Sequence, residues 1–188
     1  MVTSADIVNQ AIQLIGDNQP AVTGVFPTFD TSPAGIAASF LYGPTVATVG
    51  REFEWDFARS TAVLNPTGNP APYPWAYEYI YPADGIQVWE VMPTSGIDLN
   101  DPIPINWIEA NAIVAGSQAR VIRTNLSPAQ CVYNNNPNEN TWNSLFREAV
   151  VRTLASALSL ALAGKPDLAQ SMLESGGTFT QIGAQRRN

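Results

Sequence analysis

The usual catalytic acids, bases and nucleophiles are thinly represented in this 188-residue chain: Asp and Glu together number 16, there is one cysteine, and histidine is absent. Without an imidazole there can be no Ser-His-Asp triad, no Cys-His dyad and no His-containing zinc site. Cys131 cannot form an intramolecular disulfide or a cysteine-rich cluster. Set in an apolar run with no histidine to activate it, it reads as inert core. Two carboxylate groupings remain. Asp98-Leu99-Asn100-Asp101 lacks the ligand spacing and closing glutamate of a calcium loop and reads as a turn beside Pro102. Glu52, Glu54 and Asp56 could act as paired acids, but Arg51 and Arg59 flank them and favour a solvated or ion-paired surface. Neither GxxxxGK nor GxGxxG occurs, so no phosphate-cradling loop is expected. The expectation is a protein without catalytic, cofactor or metal site, and not an enzyme.

The elements that would carry these residues fall into three stretches. Thr3 to Asp6 has the form of a capping box, followed by Val8, Ala11, Ile12 and Ile15 at helical spacing and Gly16 as the stop. Ser32-Pro33 marks a second helix start, with a kink expected at Gly43-Pro44 and an end near Phe53. The period then changes. Tyr73, Trp75, Tyr77, Tyr79 and Tyr81 alternate with Pro74, Ala76, Glu78, Ile80 and Pro82, which predicts an extended segment with every ring on one face. Further short strands are expected at Ser60 to Leu64, Ile86 to Met92 (with Trp89), Pro104 to Ile108, Ala112 to Ala115, Ala119 to Thr124 and Gln130 to Tyr133. The aromatic face could be sheet packing, a subunit interface or a sugar-stacking platform; intervening prolines and Trp89 favour packing.

Helix returns in the last quarter. Trp142, Leu145, Phe146, Ala149, Val150, Leu154, Ala157, Leu158, Ala161 and Leu162 form a long stripe, with small residues Ala155, Ser159 and Ala163 on a neighbouring face. The first set reads as core or inter-subunit helix; the second permits close approach of another helix. Gly164 and Pro166 separate this helix from another that should stop near Ser175. After Gly176-Gly177 a polar tail is expected to be extended, with Phe179, Ile182, Arg186 and Arg187 as its candidate anchoring residues. The fold class is α+β: a helical bundle from the N- and C-terminal helices with an inserted small antiparallel β domain. The boundaries are 1–59 for the N-terminal helices, 60–139 for the β domain, 140–175 for the C-terminal helices and 176–188 for the tail.

Composition adds a second constraint. Only 13% of residues are charged, against about 25% in ordinary soluble domains. No membrane segment explains this: the apolar run Thr153 to Ala163 is too short and is interrupted by Ser156 and Ser159. The N-terminus lacks the form of a signal peptide, so the chain reads as cytosolic when made. A net charge of -7 argues against binding nucleic acid by neutralising phosphates. A surface this poor in charge is soluble when partners cover much of it.

Three segments resemble one family. Asn9-Gln10-Ala11-Ile12-Gln13-Leu14-Ile15-Gly16 is similar to the opening helix of podovirus-type head-to-tail adaptors, the tail tubular protein A family. Phe53-Glu54-Trp55-Asp56-Phe57-Ala58-Arg59 resembles their W-x-F-A junction between helix and strand. Tyr79-Ile80-Tyr81-Pro82-Ala83-Asp84, followed by Val88, resembles their Y-x-Y/L-P-x-D strand. The likeness extends over roughly Ala5 to Leu173 and departs at Gly43-Pro44 and in the proline-rich loop Pro66 to Pro74. It implies a structural virion protein at the head-tail junction, assembled in the host cytoplasm as a dodecameric ring between portal protein and tail nozzle protein. Double-stranded DNA would pass through the ring without specific binding, and no membrane would be involved. The β insertion, with its aromatic residues, would face the nozzle, and the C-terminal tail would dock on the portal. A carbohydrate-binding module or receptor-binding tail component using residues 73–81 is the alternative, and a carboxylate-based glycosidase is a distant third.

Overall fold

The structure, a computed structural model, describes the chain except residues 17–19, 96–104, 137, 164–165 and 186–188. It is mixed helix and antiparallel sheet, and it divides into two compact units: Met1–Ala58 with Asn136–Asn188, and Arg59–Asn135.

The first unit opens with α1 (Ser4–Leu14). Thr3 Oγ1 accepts from the Asp6 amide at 3.2 Å and the Asp6 carboxylate accepts from the Thr3 amide at 2.8 Å, closing the expected box. The Thr3 amide, then the Thr3 hydroxyl, donates to the Asp6 carboxylate and holds it below its ordinary range. Gly16 ends the helix at φ +66, a left-handed conformation that glycine adopts freely. A hairpin of β1 (Gly24–Val25) and β2 (Thr28–Phe29) leads to α2 (Pro33–Glu52), capped by Ser32.

The helix α2 runs through Gly43-Pro44 unbroken, so no break separates two helices there. Pro44 costs the carbonyl of Phe40 its intrahelical donor, but both residues lie on the exposed face, where water can replace it. Gly43 has a separate reason: a Cβ there would stand 2.8 Å from the Phe26 ring.

The unit closes with α3 (Ser144–Leu158), a widened π-type turn at Ser159–Ala163, and α4 (Pro166–Gln185). The extended tail expected from residue 176 is instead helix as far as Gln185. Gly176 is buried, and a Cβ on it would meet Thr153 Oγ1 at 3.1 Å, so close packing on α3 accommodates a residue of poor helix propensity. The core joins Ile7, Val8, Ala11 and Ile12 of α1, Ala34, Ala38, Tyr42, Val46 and Val49 of α2, and Phe146, Val150, Leu154 and Leu158 of α3. Trp55, in the W-x-F-A segment, is 2% exposed. Its Nε1 donates to the Val49 carbonyl at 3.0 Å, and its ring meets Phe146 edge-on at 5.1 Å.

The second unit holds two three-stranded sheets. One has the order β3 (Arg59–Val63), β8 (Ala129–Asn135), β5 (Gly85–Pro93); the other β4 (Tyr77–Ile80), β7 (Ser117–Thr124), β6 (Trp107–Val114). All pairings are antiparallel. Ala115 and Gly116, at φ +48 and +83, make the tight turn between β6 and β7 that suits the strand twist. The strands expected at Pro104 to Ile108 and Ala112 to Ala115 meet in the single strand β6, because Glu109 and Asn111 between them continue the ladder opposite Ile122 and Arg120.

Candidate interaction surfaces

The aromatic segment divides rather than presenting one face. Only Tyr77–Ile80 is strand; before it, Trp75 N–H donates to the Pro72 carbonyl at 3.0 Å in a turn. Tyr73 is 98% exposed and Trp75 half-buried, whereas Tyr79 and Tyr81 lie in the β core. Alternation fails because β4 is covered on both faces. Tyr79 packs inward, while Glu78 on the opposite face is also buried and bonds Arg123 Nε at 2.8 Å. Thr67 Oγ1 adds a donor to Glu78 Oε1 at 3.1 Å, so the buried carboxylate is hydrogen-bonded as well as ion-paired. The partly buried Trp89 lies in β5 beside an irregularity in the register.

A second polar cluster surrounds Glu109, whose carboxylate accepts from Arg120 at 2.7 Å, Gln87 at 3.2 Å and Tyr81 Oη at 3.3 Å. The Arg120 guanidinium also lies 3.7 Å over the Tyr81 ring, a cation–π contact. Burial, then the Glu109 charge, pushes the Tyr81 hydroxyl up to about 12. In each cluster the carboxylate is both ion-paired and hydrogen-bonded.

The remaining expected chemistry is similarly quiet. Cys131 is fully buried and burial pushes its thiol up to about 11, the setting of an inert side chain. Glu52 and Asp56 are exposed, Glu54 is half-exposed, and Arg51 and Arg59 beside them are exposed too. Asp98 to Pro102 lie outside the described residues. Among the described residues no group of three or more Cys, Asp or Glu could hold a metal ion, and no helix is long and apolar enough to cross a membrane.

The C-terminal stripe is mostly core within the chain: Trp142, Phe146, Leu154 and Leu158 are buried, with Leu145 and Leu162 packed against them. Ala161 is exposed, since the widened turn rotates it off the stripe. Phe179 and Ile182 fall on the end of α4, and Arg186 and Arg187 lie outside the described residues.

On α2, Ile36, Phe40 and Ala47 have the spacing of a helical stripe, but the first two are not covered. No charged side chain occurs from Pro33 to Gly50, yet Ile36 and Phe40, one turn apart, are 49% and 75% exposed. Uncharged residues also run from Ser60 to Tyr77, exposing Val63, Tyr73 and Tyr77. Such patches mark surfaces for association more often than for catalysis. Compared with known proteins, the chain matches no family model and no curated protein.

Proposed function

We propose that the chain is a structural subunit of a phage head-to-tail adaptor, a ring that joins portal to tail nozzle and lines the DNA channel. The observation that carries this reading is the organisation of the chain. Helices from both ends share one unit, and the antiparallel strands between them form another. This suits a helical bundle as ring wall with an inserted β domain reaching the nozzle. The three segments of family likeness support it by their placement: at the C-terminal end of α1, where the chain leaves the helices, and where β4 leads into β5. The uncharged exposed face of α2 fits coverage by a neighbouring subunit. A net charge of -7 suits a conduit whose wall gives passing phosphates no site to stick to.

In this reading the protein has no turnover, and the end of α4 with residues 186–188 contacts the portal. Mass measurement in solution, with and without portal, tests it: the expected result is monomer or weak association alone and rings on the portal. A tight lone dimer overturns it. A second reading, sugar binding, rests on exposed Tyr73 with Trp75 and Tyr77. A glycan array that registers binding, lost in Tyr73→Ala without loss of fold, would favour it.

A further inference from the structure

We infer that β6 pairs antiparallel with β6 of a second copy of the chain, about a two-fold axis at Ala110, so that two β units join edge to edge. The two-residue turn at Ala115-Gly116 sets Val114 opposite Ser117, and residues flanking such a turn exchange hydrogen bonds. Alternation then commits Val114, Ala112, Ala110 and Ile108 to β7. Trp107, Glu109, Asn111 and Ile113 aim their N–H and C=O groups the other way. The Tyr81 N–H, which donates to the Arg120 carbonyl at 3.2 Å on the far side of β7, fits the same alternation. Among the described residues no strand and no backbone group bonds that outer edge. The Ile113 carbonyl accepts from Asn69 Nδ2 at 2.8 Å, which leaves it a second lone pair.

The other edges of the two sheets are blunted. Ile80 N–H donates to the Asn65 carbonyl at 2.8 Å and Thr67 N–H to the Glu78 carbonyl at 3.0 Å, so the chain itself closes the edge of β4. The strand β5 carries two register irregularities and ends in Pro93, and β3 is five residues long and begins with Arg59. Short strands, bulges, prolines and charges are the means by which sheet edges avoid pairing. None of these protects β6: it runs eight residues without a register shift, and its one charge, Glu109, turns to Arg120. Its own sequence supplies the partner. Read antiparallel about Ala110, Trp107 meets Ile113, Ile108 meets Ala112 and Glu109 meets Asn111. The first is an aromatic–β-branched pair, the last sets an amide donor against a carboxylate, and no like charges face one another. Slipping the second strand by two residues either way sets Glu109 against Glu109 or against Ile113.

Pairing through this one strand buries less than the about 1,200 Å² of stable interfaces, so the dimer is weak and agrees with a chain that associates weakly alone. Its two-fold contact closes on itself and is separate from the heterologous contacts of a ring. Sedimentation equilibrium of the full chain, up to about 1 mM, tests the inference and should show a reversible monomer–dimer equilibrium. Asn111→Pro removes an outward N–H, leaves the ladder to β7 intact and should hold the chain monomeric. Asn111→Asp gains Arg120 as its cross-strand neighbour but meets Glu109 of the second copy. It should weaken association about ten-fold without loss of thermal stability. Ala110→Cys places two thiols across the axis, in a non-hydrogen-bonded pair with Cα atoms about 4.5 Å apart. It should cross-link under dissolved oxygen, whereas Ala112→Cys should not. Cys131 is buried and does not compete. A chain that stays monomeric up to about 1 mM overturns the inference. So does a dimer indifferent to both Asn111 variants, or equal cross-linking by Ala110→Cys and Ala112→Cys, because association would then use another surface or another register.

Discussion

The two units bury different kinds of side chain. In the helical unit the interior is aliphatic side chains and edge-to-face rings, with Phe146 meeting Trp55, Phe57 and Trp142 at 5.1, 5.0 and 4.8 Å. In the β unit the interior is framed by three tyrosines whose bodies are buried and whose hydroxyls reach the rim. Tyr79 donates to the Leu126 carbonyl at 2.9 Å, Tyr133 to Asp84 at 3.1 Å and Tyr81 to Glu109 at 3.3 Å. A small unit has little interior relative to its surface, and tyrosine supplies wide apolar area that can end at a polar edge. The helical unit is thus held mainly by filling space, the β unit by filling space and satisfying polar groups together.

That contrast can be broken at graded strengths. Trp55→Ala should cost about 3–5 kcal/mol in chemical denaturation, the largest single effect, because it empties the aromatic cluster. Arg123→Ala should cost about 3 kcal/mol by leaving the Glu78 carboxylate buried without its cation, whereas Glu78→Met with Arg123→Leu should be nearly neutral. If the double change costs as much as the single one, the ion pair itself stabilises the β unit, and the comparison must be redrawn. Tyr79→Phe should cost about 1 kcal/mol, the net value of one hydrogen bond, with its packing kept; differential denaturation of this variant measures it.

The gentlest probe is pH. Ser32, then Thr23, donates hydrogen bonds to the Asp30 carboxylate and lowers its pKa to about 2. Because the folded value is depressed, this contribution is present above about pH 4 and lost as pH falls through about 2. Asp30→Asn should flatten the stability of the helical unit across that window, which an acid titration followed by circular dichroism reads. Unchanged slope would assign acid sensitivity to other carboxylates.

Local chemistry in the sequence located what is locally decided. The Thr3-Asp6 box, the Gly16 stop and the Ser32-Pro33 start need only neighbours within a turn, and each occurs as expected. Tertiary partners decided the rest. Alternation over Tyr73 to Tyr81 assumed one buried face, but Arg123, 45 residues from Glu78, buries the other. Gly176-Gly177 reads as a stop until the seat on Thr153 is known. The exclusion of imidazole chemistry was legible from composition, because a missing histidine needs no fold to interpret. The exposed α2 face was not, since Ile36 and Phe40 have the spacing of core residues and only the packed structure reveals which side of the helix is left uncovered.

The register that places Arg59 opposite Asn134 has a consequence for how the chain could change. Residues paired across antiparallel strands lie about 5 Å apart, so the strand that opens the β unit begins beside the strand that closes it. For the helices, everything from Arg59 to Asn135 is therefore a closed excursion whose two feet nearly touch. Lengthening such an excursion adds loop-closure entropy only slowly. A short turn could bridge the same feet if the excursion were cut away. The β unit is thus, topologically, an exchangeable cassette: its size and surface can drift without restringing the helices that carry it.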